Sequence, residues 1–299
     1  MIVINSIKIK SKITSKSIKY KSRLKNPFHK NKKQLLEKIK RVIFISDKLS
    51  ILKTNFRNRY MNQMRKTIDL VNKLLIEKYG IPPRSKVPPN PVDLLIGTIL
   101  SQNTNDKNSY KAFQNLKNSY KDWNEVEHIT RAQIENKIKV AGLGKQKSGA
   151  IKQFLSSLKK VQGSISLEHL RKSDDKKILD ELTSYNGIGV KTASCVLLFS
   201  LRRNVCPVDT HVHRTTNRIG IVKTKTPDKT FEIINSDLPE GTAHSFHTNL
   251  IRLGREICRP TKPSCSICPL LNVCEFENKN LDGEIKYKEN DFLLLDSIK

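Results

Sequence analysis

Residues 182–192 read LTSYNGIGVKT, the most informative segment of the chain for its fold. Two glycines separated by one apolar residue stand between two helical patterns, at 174–184 and 190–202, and predict a tight turn between two helices. Such a turn leaves backbone N–H groups exposed at the start of the second helix, where a phosphate can bind without a charged side chain. Taken alone, a Gly-Ile-Gly turn is a weak signal, because ordinary helix–helix turns also use glycine.

Helical patterns extend on both sides of this turn. Apolar residues recur at helical spacing, or helix caps are present, in the following segments: 62–80, 94–100, 145–160, 211–219 and 242–254, a segment opened by the capping box Thr130/Gln133, and a segment opened by Thr226-Pro227. Alternation with a period of two, which is typical of strands, is scarce. The sequence therefore predicts an all-α fold.

An amine and a carboxylate follow the turn at a short distance. Lys191 comes two residues after the second glycine, and Asp209 comes eighteen residues later, in the segment PVDTHV at 207–212. This pair suits nucleophilic and acid–base chemistry, although a structural salt bridge is the plainer interpretation. His211 also follows the acid, and we expect it to be a hydrogen-bonding residue of the structure.

The C-terminal part of the chain contains a cluster of four cysteines. Their spacing is C-x6-C-x2-C-x5-C, at Cys258, Cys265, Cys268 and Cys274. Soft thiolate ligands suit both iron–sulfur centres and zinc. Structural zinc sites usually have two CxxC-like pairs, and only one is present here, so the spacing favours an iron–sulfur cluster. Cys195 and Cys206 lie outside the pattern, and we expect them to be small buried residues.

The charge of the chain indicates a polyanionic partner. The 299 residues have a net charge of +28, and residues 1–60 alone contain 18 Lys and Arg against 2 acidic residues. This segment is predicted to be a disordered basic arm. The rest of the chain is still strongly basic, which favours nucleic-acid binding. No apolar run is long enough for a membrane span, and no secretory signal is apparent, so no membrane partner is expected.

Taken together, three motifs resemble the endonuclease III family of helix–hairpin–helix DNA glycosylases. These are Gly187-Ile188-Gly189-Val190-Lys191-Thr192-Ala193, then Val208-Asp209-Thr210-His211, then the cysteine spacing, in the family's order, and the similarity covers about 61–277. The resemblance implies that Lys191 is the nucleophile and Asp209 the essential acid. It also implies two groups of DNA-binding residues: Gly187, Ile188, Gly189 and Val190 in the hairpin, and Gln102 or Asn103, within the polar loop 101–105, as the wedge that fills the gap left by a flipped base.

The resemblance further implies the architecture and the cofactor. A six-helix barrel is expected at 84–203, a second lobe at 61–83 plus 204–277, and a C-terminal tail at 278–299. The four cysteines are expected to hold a [4Fe–4S] cluster in the second lobe. The expected partner is double-stranded DNA with damaged bases or abasic sites, bound by a monomer. The expected location is the cytoplasm and nucleoid, or the nucleus or mitochondrion of a eukaryote.

The function implied is that of a bifunctional DNA glycosylase and AP lyase, which removes damaged, oxidised pyrimidines and cuts the strand 3′ to the abasic site. One departure is Asn186, where the family commonly has proline; asparagine tolerates turn geometry, so the hairpin is expected to form. Two alternatives stay open at this point. An adenine-mismatch glycosylase shares the fold but lacks the hairpin lysine, and a non-catalytic iron–sulfur DNA-binding module would need neither Lys191 nor Asp209.

Overall fold

A computed structural model describes residues 43–45 and 59–282 of the chain. The chain divides into two units, Met1–Tyr60 and Met61–Lys299. In the first unit, the described residues 43–45 and 59–60 are helical. Most of the basic arm and most of the C-terminal tail lie outside the described residues, so the disorder expected of the arm stays a prediction.

The described residues of the second unit form helices joined by turns and loops, without a strand among them, and the predicted all-α class is confirmed. The helices are α1 (61–79 within this unit), α2 (Pro91–Ser101), α3 (Asp106–Ser119), α4 (Trp123–His128), α5 (Arg131–Ile138), α6 (Gly144–Gln162), α7 (Asp175–Ser184), α8 (Val190–Cys195), α9 (Thr210–Ile219), α10 (Pro227–Asn235) and α11 (Ala243–Glu256). A π-helical turn, Val196–Ser200, continues α8, and short 3₁₀ turns lie at Lys139–Ala141, Glu168–Lys172, Cys265–Ile267 and Leu271–Val273. No helix within these described residues is long and apolar enough to cross a membrane.

Side-chain caps fix where several helices begin, as the sequence predicts. Thr130 and Gln133 form the predicted capping box at the start of α5. The Thr226 side chain accepts a hydrogen bond from the Lys229 N–H, and Pro227 is the first residue of α10. These caps satisfy N–H groups that have no partner inside the helix.

Two helices lie where the apolar pattern predicts none. In α3, a 14-residue helix, only Ser109, Ala112, Phe113 and Leu116 are buried. In α4, six residues long, only Trp123 and Val126 are buried. Such sparse apolar positions give a weak periodic signal. Packing and the caps Asn105 and Asp122 stabilise these helices instead.

The hairpin helix packs on the most buried helix of the unit. Every residue of α2 from Pro91 to Leu100 is buried except Asp93, and α2 contacts α3, α6 and α8. Farther along the chain, α9 packs against α10 and α11, and α11 contacts the π turn that follows α8. The start of α8 and the start of α9 therefore lie in one compact unit. The division of this unit into a barrel and a second lobe stays a prediction.

Candidate active site

A cavity of about 580 Å³ brings together the residues that the sequence singles out. Lys191 of α8 and Asp209, directly before α9, both line it. Gln102 and Asn103, from the loop between α2 and α3, line the same cavity. A cavity of this volume is within the usual range for small-molecule sites, so it is large enough to take in one nucleotide. Four of the predicted site residues, from three separate segments, thus share one cavity.

The hairpin between α7 and α8 is held in place by buried contacts with α6 and by its own backbone. Tyr185 is buried and packs edge-on against Phe154, with ring centroids 5.4 Å apart. Ile188 is also buried, and its N–H donates to the Tyr185 carbonyl at 3.1 Å. Gly187 has a φ of +85°, and a Cβ there would lie 3.2 Å from the Cβ of Ala150. Glycine is therefore needed at 187 both for the backbone conformation and for the close approach to α6.

The start of α8 is open. Gly189 is the N-cap, its φ is −94°, and no side chain accepts a hydrogen bond from the first turn. A Cβ at Gly189 would meet nothing within 4 Å. Lys191 follows as the second residue of the helix and is half-buried. The first-turn N–H groups thus lie beside a glycine whose surface is empty, a geometry suited to an anion.

The start of α9 is closed by Asp209. One carboxylate oxygen of Asp209 accepts a hydrogen bond from the Val212 N–H at 2.8 Å. Among the described residues, no side chain forms an ion pair with Asp209. In particular, the Asp209 carboxylate and the Lys191 ammonium form no salt bridge with each other. The cap fixes the orientation of the carboxylate and leaves its second oxygen available to a ligand in the cavity.

Two histidines line the cavity near this carboxylate, one buried and one half-buried. His247 is almost fully buried, and burial lowers its pKa to about 4 although the nearby Asp209 favours the charged form. Its Nδ1 lies 2.8 Å from the Pro207 carbonyl, which fixes Nδ1 as the protonated nitrogen of the neutral ring. Burial also lowers the pKa of His211, whose Nδ1 lies 3.2 Å from a guanidinium nitrogen of Arg214. Both rings are therefore neutral at pH 7, and His211 has the hydrogen-bonding role expected of it.

The polar loop between α2 and α3 is held at the cavity by an ion pair at its C-terminal end. Asn103 has a φ of +49°, in the left-handed region, and its side chain is exposed, whereas Gln102 is half-buried. Asp106 accepts two hydrogen bonds from Arg255 of α11, at 2.6 and 3.1 Å. Arg255 therefore forms a bidentate ion pair across the cavity, a role that the sequence does not suggest.

A second loop carries an exposed apolar residue that the sequence pattern does not single out. Leu143 lies between two glycines, has a φ of +50°, and is 48% exposed. A leucine in the left-handed region is uncommon and strained, and exposure of its side chain gives no compensating burial. The only signal in the sequence is the apolar residue within Gly142-Leu143-Gly144, which looks like an ordinary helix end.

The four cysteines of the C-terminal motif surround a second, much smaller cavity. All four line it, together with Arg218 and Phe276. Burial raises the pKa of Cys268 to about 12 and also raises the pKa of Cys274. Among the described residues, no group of three or more His, Cys, Asp or Glu side chains is arranged to hold a single metal ion. The cysteines thus share a cavity without converging on one point, and the cluster stays a prediction.

Arg218 of α9 holds the loop that contains these cysteines. Its guanidinium donates to the Arg259 carbonyl at 2.8 Å, to the Pro260 carbonyl at 2.9 Å, and to the Cys258 sulfur at 3.5 Å. The guanidinium also stacks on the Phe276 ring at 4.3 Å. A cation at this point offsets part of the negative charge that several thiolates would bring.

Comparisons with known proteins agree with this geometry. Residues 96–240 match the family model described as HhH-GPD superfamily base excision DNA repair protein. Endonuclease III of Thermotoga maritima is 35% identical over 204 residues, which cover 68% of this chain and 92% of that protein. Endonuclease III of Sulfolobus acidocaldarius is 31% identical over 190 residues, covering 62% of this chain and 82% of that protein.

Solved structures of endonuclease III with DNA match the fold as well. A non-covalent endonuclease III–DNA complex superposes with a TM-score of 0.59 at 26% identity, covering 72% of this chain and 94% of that one. A trapped covalent intermediate of endonuclease III with DNA gives the same TM-score and identity, and covers 95% of that chain. With Lys191 and Asp209 at one cavity and with these relatives, the chain belongs to the endonuclease III family and is a base excision repair DNA glycosylase.

Proposed function

We propose that this glycosylase is bifunctional: it excises a damaged base and then cuts the strand as an AP lyase, with Lys191 as nucleophile. The observation that carries the proposal is the shared cavity, because an amine and a carboxylate from two separate segments line the same 580 Å³ space. A glycosylase that only activates water needs the carboxylate alone. A half-buried lysine in the same cavity supplies the amine that a lyase requires.

Each step follows from the two side chains. Lys191 must first lose a proton, because only the neutral amine is a nucleophile. Its Nζ bonds to C1′ of the nucleotide while the C1′–N bond to the base breaks and the base leaves with that electron pair and a proton. The sugar ring then opens to a Schiff base on Lys191. Loss of a C2′ proton drives β-elimination, in which the C3′–O bond breaks and the 3′ phosphate leaves.

Asp209 acts on the sugar in this scheme. Positive charge develops on the sugar as the base departs, and a fixed carboxylate close by stabilises it. The Val212 N–H holds one oxygen of Asp209, so the carboxylate does not have to reorient during the step. Burial keeps His247 neutral beside it, so no neighbouring imidazolium weakens the field of the carboxylate.

DNA would bind with its backbone on the hairpin and its damaged nucleotide in the cavity. The open first turn of α8 suits a phosphate, since Gly189 leaves that surface empty. Gln102, Asn103 and the exposed Leu143 would enter the stack where the nucleotide has left it, as polar and apolar wedges do in bent duplexes. We propose a monomer acting on double-stranded DNA, with oxidised pyrimidines as the preferred bases; Phe113 and Phe199 in the cavity lining offer ring contacts to such a base.

The four cysteines are proposed to hold a [4Fe–4S] cluster. A single tetrahedral ion draws four sulfurs to about 2.3 Å from one point, whereas a cluster keeps them apart around its corners. The four cysteines line one cavity, and soft sulfur ligands with a single CxxC pair favour the cluster over one zinc ion. The cluster would stabilise the loop from Cys258 to Cys274, and the Arg218 hydrogen bond to Cys258 would offset its charge. Iron and sulfide analysis with the visible absorption spectrum tests this; one zinc per colourless, active chain would refute it.

Borohydride trapping on a panel of duplexes, each with one lesion, tests the lyase proposal. Wild type should give a covalent complex, most readily with an oxidised pyrimidine. Lys191→Arg keeps the charge and Lys191→Gln removes it, and both should abolish trapping because neither side chain forms a Schiff base. Lys160→Arg, at an exposed lysine of α6, is the matched control and should trap like wild type. Trapping that persists in both Lys191 variants would assign the nucleophile to another amine.

A further inference from the structure

The largest fully buried charged side chain among the described residues lies outside the cavity lining and takes part in no step of the proposed reaction. Lys147, in the first turn of α6, is 1% exposed. Burial lowers its pKa, and no carboxylate among the described residues pairs with it. A buried ammonium without a counter-ion is costly, and the hydrogen bonds that it donates have to offset that cost. The role of Lys147 therefore depends on the groups that accept those hydrogen bonds.

The ammonium of Lys147 joins two segments that are far apart in sequence. It donates to the Leu100 carbonyl at 2.8 Å and to the Ala141 carbonyl at 2.8 Å. Leu100 lies in the last turn of α2, and Ala141 ends the 3₁₀ turn after α5. Both carbonyls are at helix ends, where the last carbonyls lack partners within the helix and attract a cation.

Each of these segments leads directly into a loop with strained backbone. Three residues after Leu100 comes Asn103, with a φ of +49°, and two residues after Ala141 comes Leu143, with a φ of +50°. Left-handed conformations at non-glycine residues persist only where the surrounding structure fixes them. Lys147 is the one described side chain with hydrogen bonds to both segments.

We infer that Lys147 is a positioning residue, which holds the Gln102–Asn103 loop and the Leu143 loop at a fixed separation so that both enter duplex DNA together. The inference rests on the proposed function of these loops as wedges. A rigid cross-link between the loops lets the two insertions share one geometry, and without it each loop has to be ordered separately when DNA binds. Lys147 itself touches neither the DNA nor the reacting atoms.

The test compares duplex with single-stranded substrates, because only a duplex has a stack to open. Lys147→Met removes both hydrogen bonds, and Lys147→Gln keeps an uncharged NH2 donor group on a shorter side chain. Lys117→Met is the matched control, since Lys117 is a half-buried lysine whose ammonium pairs with Asp93 at 3.3 Å and hydrogen-bonds to neither loop. Trapping rates on an abasic site in duplex and in single-stranded DNA give a ratio for each variant. A misplaced element remote from the chemistry can cost about 100-fold in rate, and Lys147→Met is expected to lower the duplex rate by that order while the single-stranded rate stays within about threefold of wild type.

A binding measurement separates this inference from the lyase proposal. 2-Aminopurine is placed opposite a tetrahydrofuran abasic analogue, and its fluorescence rises when the stack is opened, with no reaction required. Wild type and Lys117→Met should give the rise, and Lys147→Met should lose most of it. If wild type gives the rise but traps nothing, the lyase proposal fails and the positioning role stands.

Parallel loss of duplex and single-stranded rates in Lys147→Met, or a normal 2-aminopurine signal, would overturn the inference and leave Lys147 a stability residue. If Lys147→Met does not fold, Lys147→Gln decides by the same ratio. An intermediate loss confined to duplex DNA supports the inference, and an unchanged ratio refutes it.

Discussion

Two helices begin at the same cavity, and they begin in opposite ways. The first turn of α8 has glycine at its N-cap and no side-chain cap, and the surface over Gly189 is empty. The first turn of α9 is capped by Asp209, whose carboxylate is bonded to the Val212 N–H. Both starts carry the partial positive charge of a helix N-terminus, but only that of α8 is left for an external anion.

These two helix starts separate binding from chemistry within one fold. At α8 the backbone is the binding group, so the side chain of Lys191 is free to act as a reagent. At α9 the side chain serves as both cap and reagent, because a carboxylate has two oxygens and the cap uses one. A substitution at 209 can therefore damage the fold, the chemistry, or both, and the choice of residue separates these effects.

The largest effect is expected from Asp209→Asn. Asparagine is as good an N-cap as aspartate, so α9 should stay capped and the free energy of unfolding should change by less than about 0.5 kcal/mol. The negative charge is lost, so base excision should fall by about 100-fold or more. Single-turnover excision and thermal unfolding measure the two quantities. An equal, large loss of stability would mean that Asp209 is mainly structural.

The next effect concerns the buried histidine beneath α9. The folded-state pKa of His247, about 4, lies below the ordinary value of 6.5, so the unfolded chain binds a proton at a higher pH than the folded chain. Stability from this group is fully present above pH 6.5 and is lost as the pH falls towards 4. The loss should be of the order of 2–3 kcal/mol. Unfolding measured from pH 7 to 4 in wild type and His247→Asn should give a flatter profile for the variant; parallel profiles would assign the acid sensitivity elsewhere.

A smaller effect separates the two glycines of the hairpin. Gly187→Ala places a side chain at a φ of +85° and 3.2 Å from Ala150, so it should destabilise the fold by about 1–2 kcal/mol. Gly189→Ala meets no protein atom, and its stability should stay within about 1 kcal/mol of wild type. The methyl group at 189 would nevertheless occupy the surface where a phosphate approaches.

Equilibrium binding to an uncleavable abasic duplex completes this comparison. Gly189→Ala should weaken binding without unfolding the protein, whereas Gly187→Ala should do both. Wild-type affinity in Gly189→Ala would show that the open start of α8 is not a phosphate site.

Much of this site could be predicted from the sequence because its parts are local. The Gly-Ile-Gly turn, the lysine two residues later and the carboxylate at a helix start each depend on a few neighbouring residues. The continuous apolar run of α2 likewise predicts a buried helix, and it is the most buried helix of the unit. Helix α3 escaped prediction because few of its positions are buried and its start depends on the Asn105 cap.

Long-range polar contacts could not be predicted in the same way. Arg255 and Asp106 pair across 149 residues, and Lys147 reaches Leu100 across 47. In the sequence Arg255, Asp106 and Lys147 are ordinary charged residues of a very basic chain. Only the packing of α2, α3, α6 and α11 brings them together, and no periodic pattern encodes which lysine is buried.

The smallest effect is expected from Asp122→Ala, which calibrates the capping role of Asp209. Asp122 is the N-cap of α4, and it accepts hydrogen bonds from the Asn124 and Glu125 N–H groups at 2.8 and 3.1 Å. The bond from Glu125 is the main reason that the pKa of Asp122 is lowered. Loss of such a cap should lower the melting temperature by a few degrees and leave excision unchanged, because Asp122 does not line the cavity. Asp209→Ala removes cap and charge, whereas Asp209→Asn removes the charge alone, so the stability difference between those two variants should equal the loss in Asp122→Ala. A much larger difference would mean that the Asp209 carboxylate supports the fold beyond its cap, and the separation of binding at α8 from chemistry at α9 would then be incomplete.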